Sequence, residues 1–197
     1  MSSNIGVMGH PIGHTKSPIF QQAGLNELGI DETFEAWDVL PEDLEDKVAT
    51  FREKGFIAAC VTLPHKQAVI PMVDELTEAA ESVGAVNWIF NRDGKLIGHN
   101  TDCNGFLRAL KEEAGFDPKG ADAVVFGAGG AARAIVYALK TAGVNRLTIA
   151  NRTVEKAQAL ANDFSEGRFK PTATGMSRDE LSNYVPYANL LVNTTSL

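Results

Sequence analysis

The chain has 197 residues, with 25 acidic side chains against 18 basic ones and a net charge of −7. That balance argues against nucleic acid as the main partner, because neutralising a phosphate backbone needs a basic face, although a few placed cations suffice for a small anion. Hydrophobic residues make up 44% and charged residues 22%, ordinary values for a globular protein and enough apolar material for two modest cores.

Cys60 and Cys103 lie far apart, with no neighbouring Cys or His at metal spacing. Neither a disulfide framework nor a metal site is expected, and a reducing cytoplasm is the default setting. The opening MSSNIGVMGH lacks a basic region followed by an apolar stretch, so it does not read as a signal peptide. No run of about 18 apolar residues is present, so no membrane span is expected.

Strand and helix patterns alternate from the start. Residues 5–9 (IGVMG) read as a strand, and 17–29 as a helix with Ile19, Phe20, Ala23 and Leu28 on its apolar face and Gly29 as its stop. Residues 34–39 form the next strand. Residues 41–55 open on a proline, carry acids in the first turn and end on glycine, a helix signature. The near-continuous apolar run 56–63 (FIAACVTL) suits a strand buried on both faces. A helix over 74–84 and a hairpin over 85–100 follow, its turn carried by Asn91, Asp93 and Gly94. Residues 102–115 read as a helix linking two domains, striped by Phe106, Leu107 and Leu110. A second β-α series begins at Ala121 and ends on ANLLVNTTSL. A strand is an odd place to finish, so a fragment of something longer is expected. The domains are set at 1–104 and 105–197, both α/β.

The stretch VVFGAGGAARA (124–134) follows a strand and opens a helix, the context that the G-x-G-x-x-A fingerprint demands. Gly127 allows the tight turn, Gly129 lets a pyrophosphate approach the backbone, and Ala132 lets helix and strand pack closely. The phosphates are expected on the turn and helix start, at Gly127, Ala128, Gly129, Gly130 and Ala131, where free N–H groups and the helix dipole favour an anion. At the end of the next strand, where an NAD site has a carboxylate, stand Asn151, Arg152 and Thr153, with Lys156 one turn on. A guanidinium there bonds a 2′-phosphate that a carboxylate would repel, so NADP is preferred to NAD. Capping of the following helix by Asn151 or Thr153 is compatible with this reading.

In the first half, four polar stretches sit at strand ends or in loops: GHPIGHTKSP (9–18), VTLPHK (61–66), GAVNW (84–88) and GHNTDCNG (98–105). They offer hydroxyls (Thr15, Ser17, Thr62), an amide (Asn87), an ammonium (Lys66) and a carboxylate (Asp102). That inventory suits a small polyhydroxylated acid. A donor at a ketone oxygen lowers the barrier to hydride delivery, the role open to Lys66.

In this order the motifs resemble shikimate dehydrogenase over essentially the whole chain. The resemblance implies an N-terminal substrate domain with a mainly parallel sheet, followed by a partial Rossmann domain for NADP. It implies reversible reduction of 3-dehydroshikimate to shikimate, in the cytoplasm, on the route to chorismate and the aromatic amino acids, by a monomer or homodimer with neither nucleic acid nor membrane as partner. By resemblance, Thr15 and Ser17 bind the substrate carboxylate, and Thr62, Asn87 and Asp102 its ring hydroxyls. Lys66 also contacts substrate and is the catalytic acid/base, assisted by Asp102. Glu78 matches an acid close to the cofactor, and Thr194 and Thr195 the stretch near the nicotinamide ribose.

The chain departs from the family at Cys60, where asparagine is usual, at Thr15, where serine is commoner, and at Trp88, where threonine is usual. The family also continues for about another half-domain. Two alternatives remain: a quinate/shikimate dehydrogenase, against which the NRT stretch speaks, and a binding module without turnover. His10 and His14 read as loop residues, His65 as a possible cleft residue, His99 as a strand-end surface residue, and Trp37 and Trp88 as packing residues. Cys103 lacks a paired base for a nucleophilic role.

Overall fold

The structure, a computed structural model, describes residues 4–195. The chain divides into two compact units, Met1–Thr101 and Asp102–Leu197. The division falls just ahead of the 104/105 boundary read from the sequence.

The first unit is built on a six-stranded mixed sheet. Its strands are β1 (Ile5–Gly9), β2 (Phe34–Asp38), β3 (Ala58–Val61), β4 (Glu75–Leu76), β5 (Trp88–Arg92) and β6 (Lys95–His99), in the order β2-β1-β3-β5-β6-β4. Strand β1 is parallel to both β2 and β3, whereas β5 runs antiparallel to β3 and to β6. The parallel strands are joined through the helices α1 (Ser17–Glu27) and α2 (Leu44–Thr50), and α3 (Glu78–Val83) precedes the hairpin. Successive residues of a strand face opposite sides, and here they enter different cores. Met8 packs with Ala59, Val61, Phe51 and Ile89, while Val7 packs with Ile12 and Phe34. Phe51, Leu44 and Ile89 are almost wholly buried, each contributing about 1.5–3 kcal/mol of apolar transfer.

The sequence reading and the structure differ at several elements. The expected apolar face of α1 points outward, with Ile19 72%, Phe20 60% and Leu28 74% exposed. Its inner side carries Gln22 instead, whose amide accepts from Phe34 N–H at 2.8 Å and donates to the Glu32 carbonyl at 3.0 Å. The expected helix over 41–55 opens as a 3-10 turn, Pro41–Asp43, before α2. That over 74–84 contains the short strand β4 ahead of α3, whose start is capped by the Thr77 hydroxyl. The 93–94 turn is as expected, with Asn91 Oδ1 accepting from Gly94 N–H at 2.6 Å.

Asp74, just before β4, accepts from Arg52 and from the Leu96 N–H. The Arg52 hydrogen bond first, then that of Leu96, hold its carboxyl below the ordinary carboxylate range. A depressed folded pKa contributes stability above the unfolded value, about 4, that is lost as pH falls through the folded one. Asp74→Asn is therefore expected to make the acid limb of the stability curve shallower, measured as urea midpoints from neutral pH downward. An unchanged acid limb would remove Asp74 from the account.

The second unit has a four-stranded, all-parallel sheet made of β7 (Asp122–Phe126), β8 (Arg146–Ala150), β9 (Thr172–Thr174) and β10 (Leu190–Asn193), in the order β10-β7-β8-β9. Helices α5 (Gly130–Ala142) and α6 (Val154–Phe164) cover one face, burying Val125, Leu139, Ile149, Leu160 and Phe164. Helix α4 (Asp102–Glu112), expected as an interdomain link, belongs to this unit. It packs along α5, and Phe106 joins the core. The short helix α7 (Arg178–Leu181) was not anticipated, although Ser177 and Glu180 form a capping box that the sequence displays.

Candidate active site

In the first unit, parallel pairing puts the C-terminal ends of β1, β3 and β6 on one edge of the sheet, together with the start of antiparallel β5. Each of the four polar stretches leaves or enters the sheet there. The loop after β1 carries Thr15 and Ser17, whose hydroxyls are 3.2 Å apart. The loop after β3 carries Thr62 and half-buried Lys66. These loops touch: Thr62 N–H donates to the Met8 carbonyl at 2.9 Å, and His10 N–H to that of Leu63 at 3.0 Å. The closeness needs Gly9, because a Cβ there would meet the Thr62 methyl and lie 2.8 Å from the Leu63 carbonyl.

Lys66 is held by its main chain, its carbonyl accepting from Val86 N–H at 2.7 Å. His65 beside it is 1% exposed, and its Nε2 lies 2.7 Å from the Val39 carbonyl. It does not line a cleft. It pins the loop after β3 to the exit of β2, which corrects the sequence reading. His99 ends β6 half-buried, with Nδ1 2.8 Å from the Thr77 hydroxyl, a partner that the sequence reading did not give it.

Asn87 is 5% exposed. Its Nδ2 donates to the Thr101 hydroxyl at 2.8 Å, and its Oδ1 accepts from Thr101 N–H at 2.9 Å. Thr101 thus fixes the amide at the sheet edge. The sequence reading passed over it, although it sits inside the quoted HNTD stretch. Thr101→Val keeps the shape but removes the acceptor, and is expected to cost about 1–3 kcal/mol in urea unfolding. Asp102 follows Thr101 and opens α4. Burial and then the Asp102 charge push the Cys103 thiol up, against a thiolate role. Glu78 is exposed in the first turn of α3, where a carboxylate favours the helix start.

In the second unit the strand order reverses direction between β7 and β10, and open α/β sheets take ligands at the C-terminal strand ends of such a point. Gly127 follows β7 there at φ +113°. A Cβ at Gly127 would run into the Thr194 hydroxyl, which donates to the Phe126 carbonyl at 2.7 Å, and would lie 3.4 Å from the Thr195 methyl. The turn and the end of β10 are therefore interlocked. Ala128 and Gly129 continue it, and a Cβ at Gly129 would meet nothing within 4 Å. No side chain caps α5, which leaves the N–H groups of Gly130, Ala131 and buried Ala132 facing that side. Gly127 N–H donates to the Ala150 carbonyl at 2.8 Å, which brings in the end of β8. There Asn151 donates to the Thr153 carbonyl at 2.8 Å. Thr153 is the α6 N-cap residue but makes no side-chain cap, and Arg152 and Lys156 are exposed. The donors and the forced glycine fit a dinucleotide with an extra phosphate near the ribose.

A sheet unit with polar loops gathered at one edge, followed in the chain by a Rossmann-type unit with a glycine turn at its switch point, defines a two-unit α/β protein of the dinucleotide-binding fold class. Residues 7–89 match the model of the shikimate dehydrogenase substrate binding domain, and residues 109–196 that of shikimate / quinate 5-dehydrogenase. The shikimate dehydrogenase (NADP(+)) of Methanopyrus kandleri is 45% identical over 97% of this chain and 66% of its own length. That of Shouchella clausii is 38% identical over 100% of this chain and 70% of its own. The crystal structure of shikimate 5-dehydrogenase from Thermus thermophilus, in complex with NADP(H) and shikimate, superposes with a TM-score of 0.82 at 37% identity, over 97% of this chain and 67% of that one.

The chain belongs to the shikimate dehydrogenase family. It spans about two thirds of the length of the curated relatives it matches.

Proposed function

We propose that the chain carries the substrate edge and the NADP-binding turn of a shikimate dehydrogenase, an oxidoreductase reversibly reducing 3-dehydroshikimate to shikimate in aromatic amino-acid biosynthesis. The observation that carries this reading is the meeting of Thr15, Ser17, Thr62, Lys66 and Asn87 at one strand edge of the unit that matches the substrate-domain family model. The Thr15 and Ser17 hydroxyls donate to the substrate carboxylate. Thr62, Asn87 and Asp102 bond its ring hydroxyls. The Lys66 ammonium gives its proton to the ketone oxygen as that oxygen becomes an alkoxide and takes it back in the reverse direction, with Asp102 stabilising the charged form.

NADPH supplies the hydride when bound. Gly127 shapes the turn, its own N–H being engaged by the Ala150 carbonyl. The backbone donors from Ala128 to Ala131 hold the phosphates, Arg152 and Lys156 the 2′-phosphate, Asn151 and Thr153 the adjoining ribose, and Thr194 and Thr195 the nicotinamide side, with Glu78 near the cofactor. No helix among the described residues is long and apolar enough to cross a membrane, and the proposed setting is the cytoplasm. Assembly as monomer or homodimer is open to light scattering.

The test is NADPH oxidation with 3-dehydroshikimate and NADP+ reduction with shikimate beside quinate. Turnover with shikimate supports the assignment; faster turnover with quinate moves the chain to the quinate-using branch. Shikimate and NADP+ binding without turnover makes it a binding module. Arg152→Ala is expected to weaken NADP+ by about tenfold or more while leaving NAD+ nearly unchanged, as loss of a charge-assisted bond requires. Equal weakening of both nucleotides would take the 2′-phosphate role from Arg152.

A further inference from the structure

The Rossmann-type sheet has a second edge that the cofactor reading does not use. At the N-terminal ends of β7, β8 and β9, opposite the glycine turn, a cleft of about 400 Å³ is lined by Asp122, Arg146, Arg168, Lys170, Tyr184 and Tyr187, among others. These strands are three to five residues long. At about 3.3 Å per residue, the cleft lies roughly 15 Å from the edge that carries Gly127.

Its charge runs against that of the molecule. Three cations face one acid, in a chain whose net charge is −7. Asp122 is already matched: Arg146 donates to it through Nε at 3.0 Å and through Nη2, and Asn145 through Nδ2 at 2.8 Å. The Arg146 bond, foremost, keeps its carboxyl below the usual range, so it stays ionised and spent on Arg146 at neutral pH. Arg168 and Lys170 form no ion pair among the described residues. Beside them Tyr187 is 68% exposed and Tyr184 half-buried. Two aromatic rings next to two unspent cations match a ligand that offers a flat face and a concentrated negative charge.

Size narrows the class. Small-molecule pockets span about 300–1,000 Å³, and this one is near the lower bound, room for one ring with its acidic group and too little for a dinucleotide. We propose that the cleft is a second ligand site, for a single-ringed dianion whose ring lies against Tyr184 and Tyr187 and whose phosphate or paired carboxylates are held by Arg168 and Lys170. The site is independent of the reaction proposed above and does not require turnover.

The experiment is calorimetric titration of the 197-residue chain with phenyl phosphate, phthalate and inorganic phosphate, with and without saturating NADP+. Saturable binding of phenyl phosphate or phthalate at one per chain is expected, and whichever binds tighter identifies a phosphate ester or a dicarboxylate. The Arg168→Ala/Lys170→Ala pair should weaken it by about tenfold or more, and Tyr187→Ala by about threefold or more. Both cations are exposed, so the variants should keep the wild-type circular dichroism. Lys54→Ala/Arg92→Ala, which removes the same charge from the other unit, should leave binding intact. Absence of saturable binding, equal binding by the Arg168/Lys170 variant, or displacement by NADP+ overturns the site. Equal affinity for inorganic phosphate with no effect of Tyr187→Ala overturns the ring-bearing ligand.

Discussion

Lys66→Ala is expected to lower kcat for 3-dehydroshikimate reduction by about 10²–10⁴-fold, the range that a positioned general acid contributes, with a smaller change in KM. The main chain around the residue should survive the change. The Lys66 carbonyl is held by Val86 N–H, and neighbouring His65 is buried against the Val39 carbonyl. The loss should therefore appear in the chemical step and leave the urea midpoint nearly unmoved. Lys66→Arg should not restore the rate, because a guanidinium keeps the charge but does not release a proton near neutral pH. Full turnover in the alanine variant would sink the acid/base assignment while leaving the fold and family untouched.

Gly127→Val should be the most damaging single change at the glycine turn. The backbone there sits at φ +113°, a region that costs an L-residue about 1–3 kcal/mol. The new Cβ would also drive into the Thr194 hydroxyl that ties β10 to the Phe126 carbonyl. Together these should cost about 2–5 kcal/mol, read as a lowered urea midpoint, and NADP+ binding should be lost. Gly129→Ala separates the two effects. Its φ of −94° suits any residue and its Cβ would meet no protein atom within 4 Å, so stability should hold while NADP+ affinity falls. A Gly129→Ala protein that binds NADP+ as tightly as the parent would show that the pyrophosphate does not approach this backbone.

These expectations rest on features that differ in how plainly the sequence displays them. The glycine turn, the NRT stretch and the hairpin at Asp93-Gly94 are local, since a handful of consecutive residues specifies the backbone there and little from elsewhere intervenes. The first helix was legible as a helix but not in its orientation. Apolar spacing marked Ile19, Phe20 and Leu28 as its inner face, yet the structure turns Gln22 inward, because the Phe34 N–H needs an acceptor and the Glu32 carbonyl a donor. Hydrophobic patterning ranks side chains by apolarity and does not register such a backbone demand. His65 and Thr101 were misread or passed over for the same reason, since their roles depend on partners from Val39 and Asn87, distant in the chain.

The sequence by itself determined the alternation of strands and helices, the two α/β units, the glycine turn and the family, because short-range geometry and an ordered set of motifs carry them. Tertiary structure alone decided that Thr15, Thr62, Lys66 and Asn87 share one edge, since parallel pairing of β1 with β3 and antiparallel pairing of β5 are long-range facts. It also decided that α4 packs along α5 with half-buried Phe106 against that core, and that Arg146, Arg168 and Lys170 meet in one cleft, where the strands they flank lie side by side.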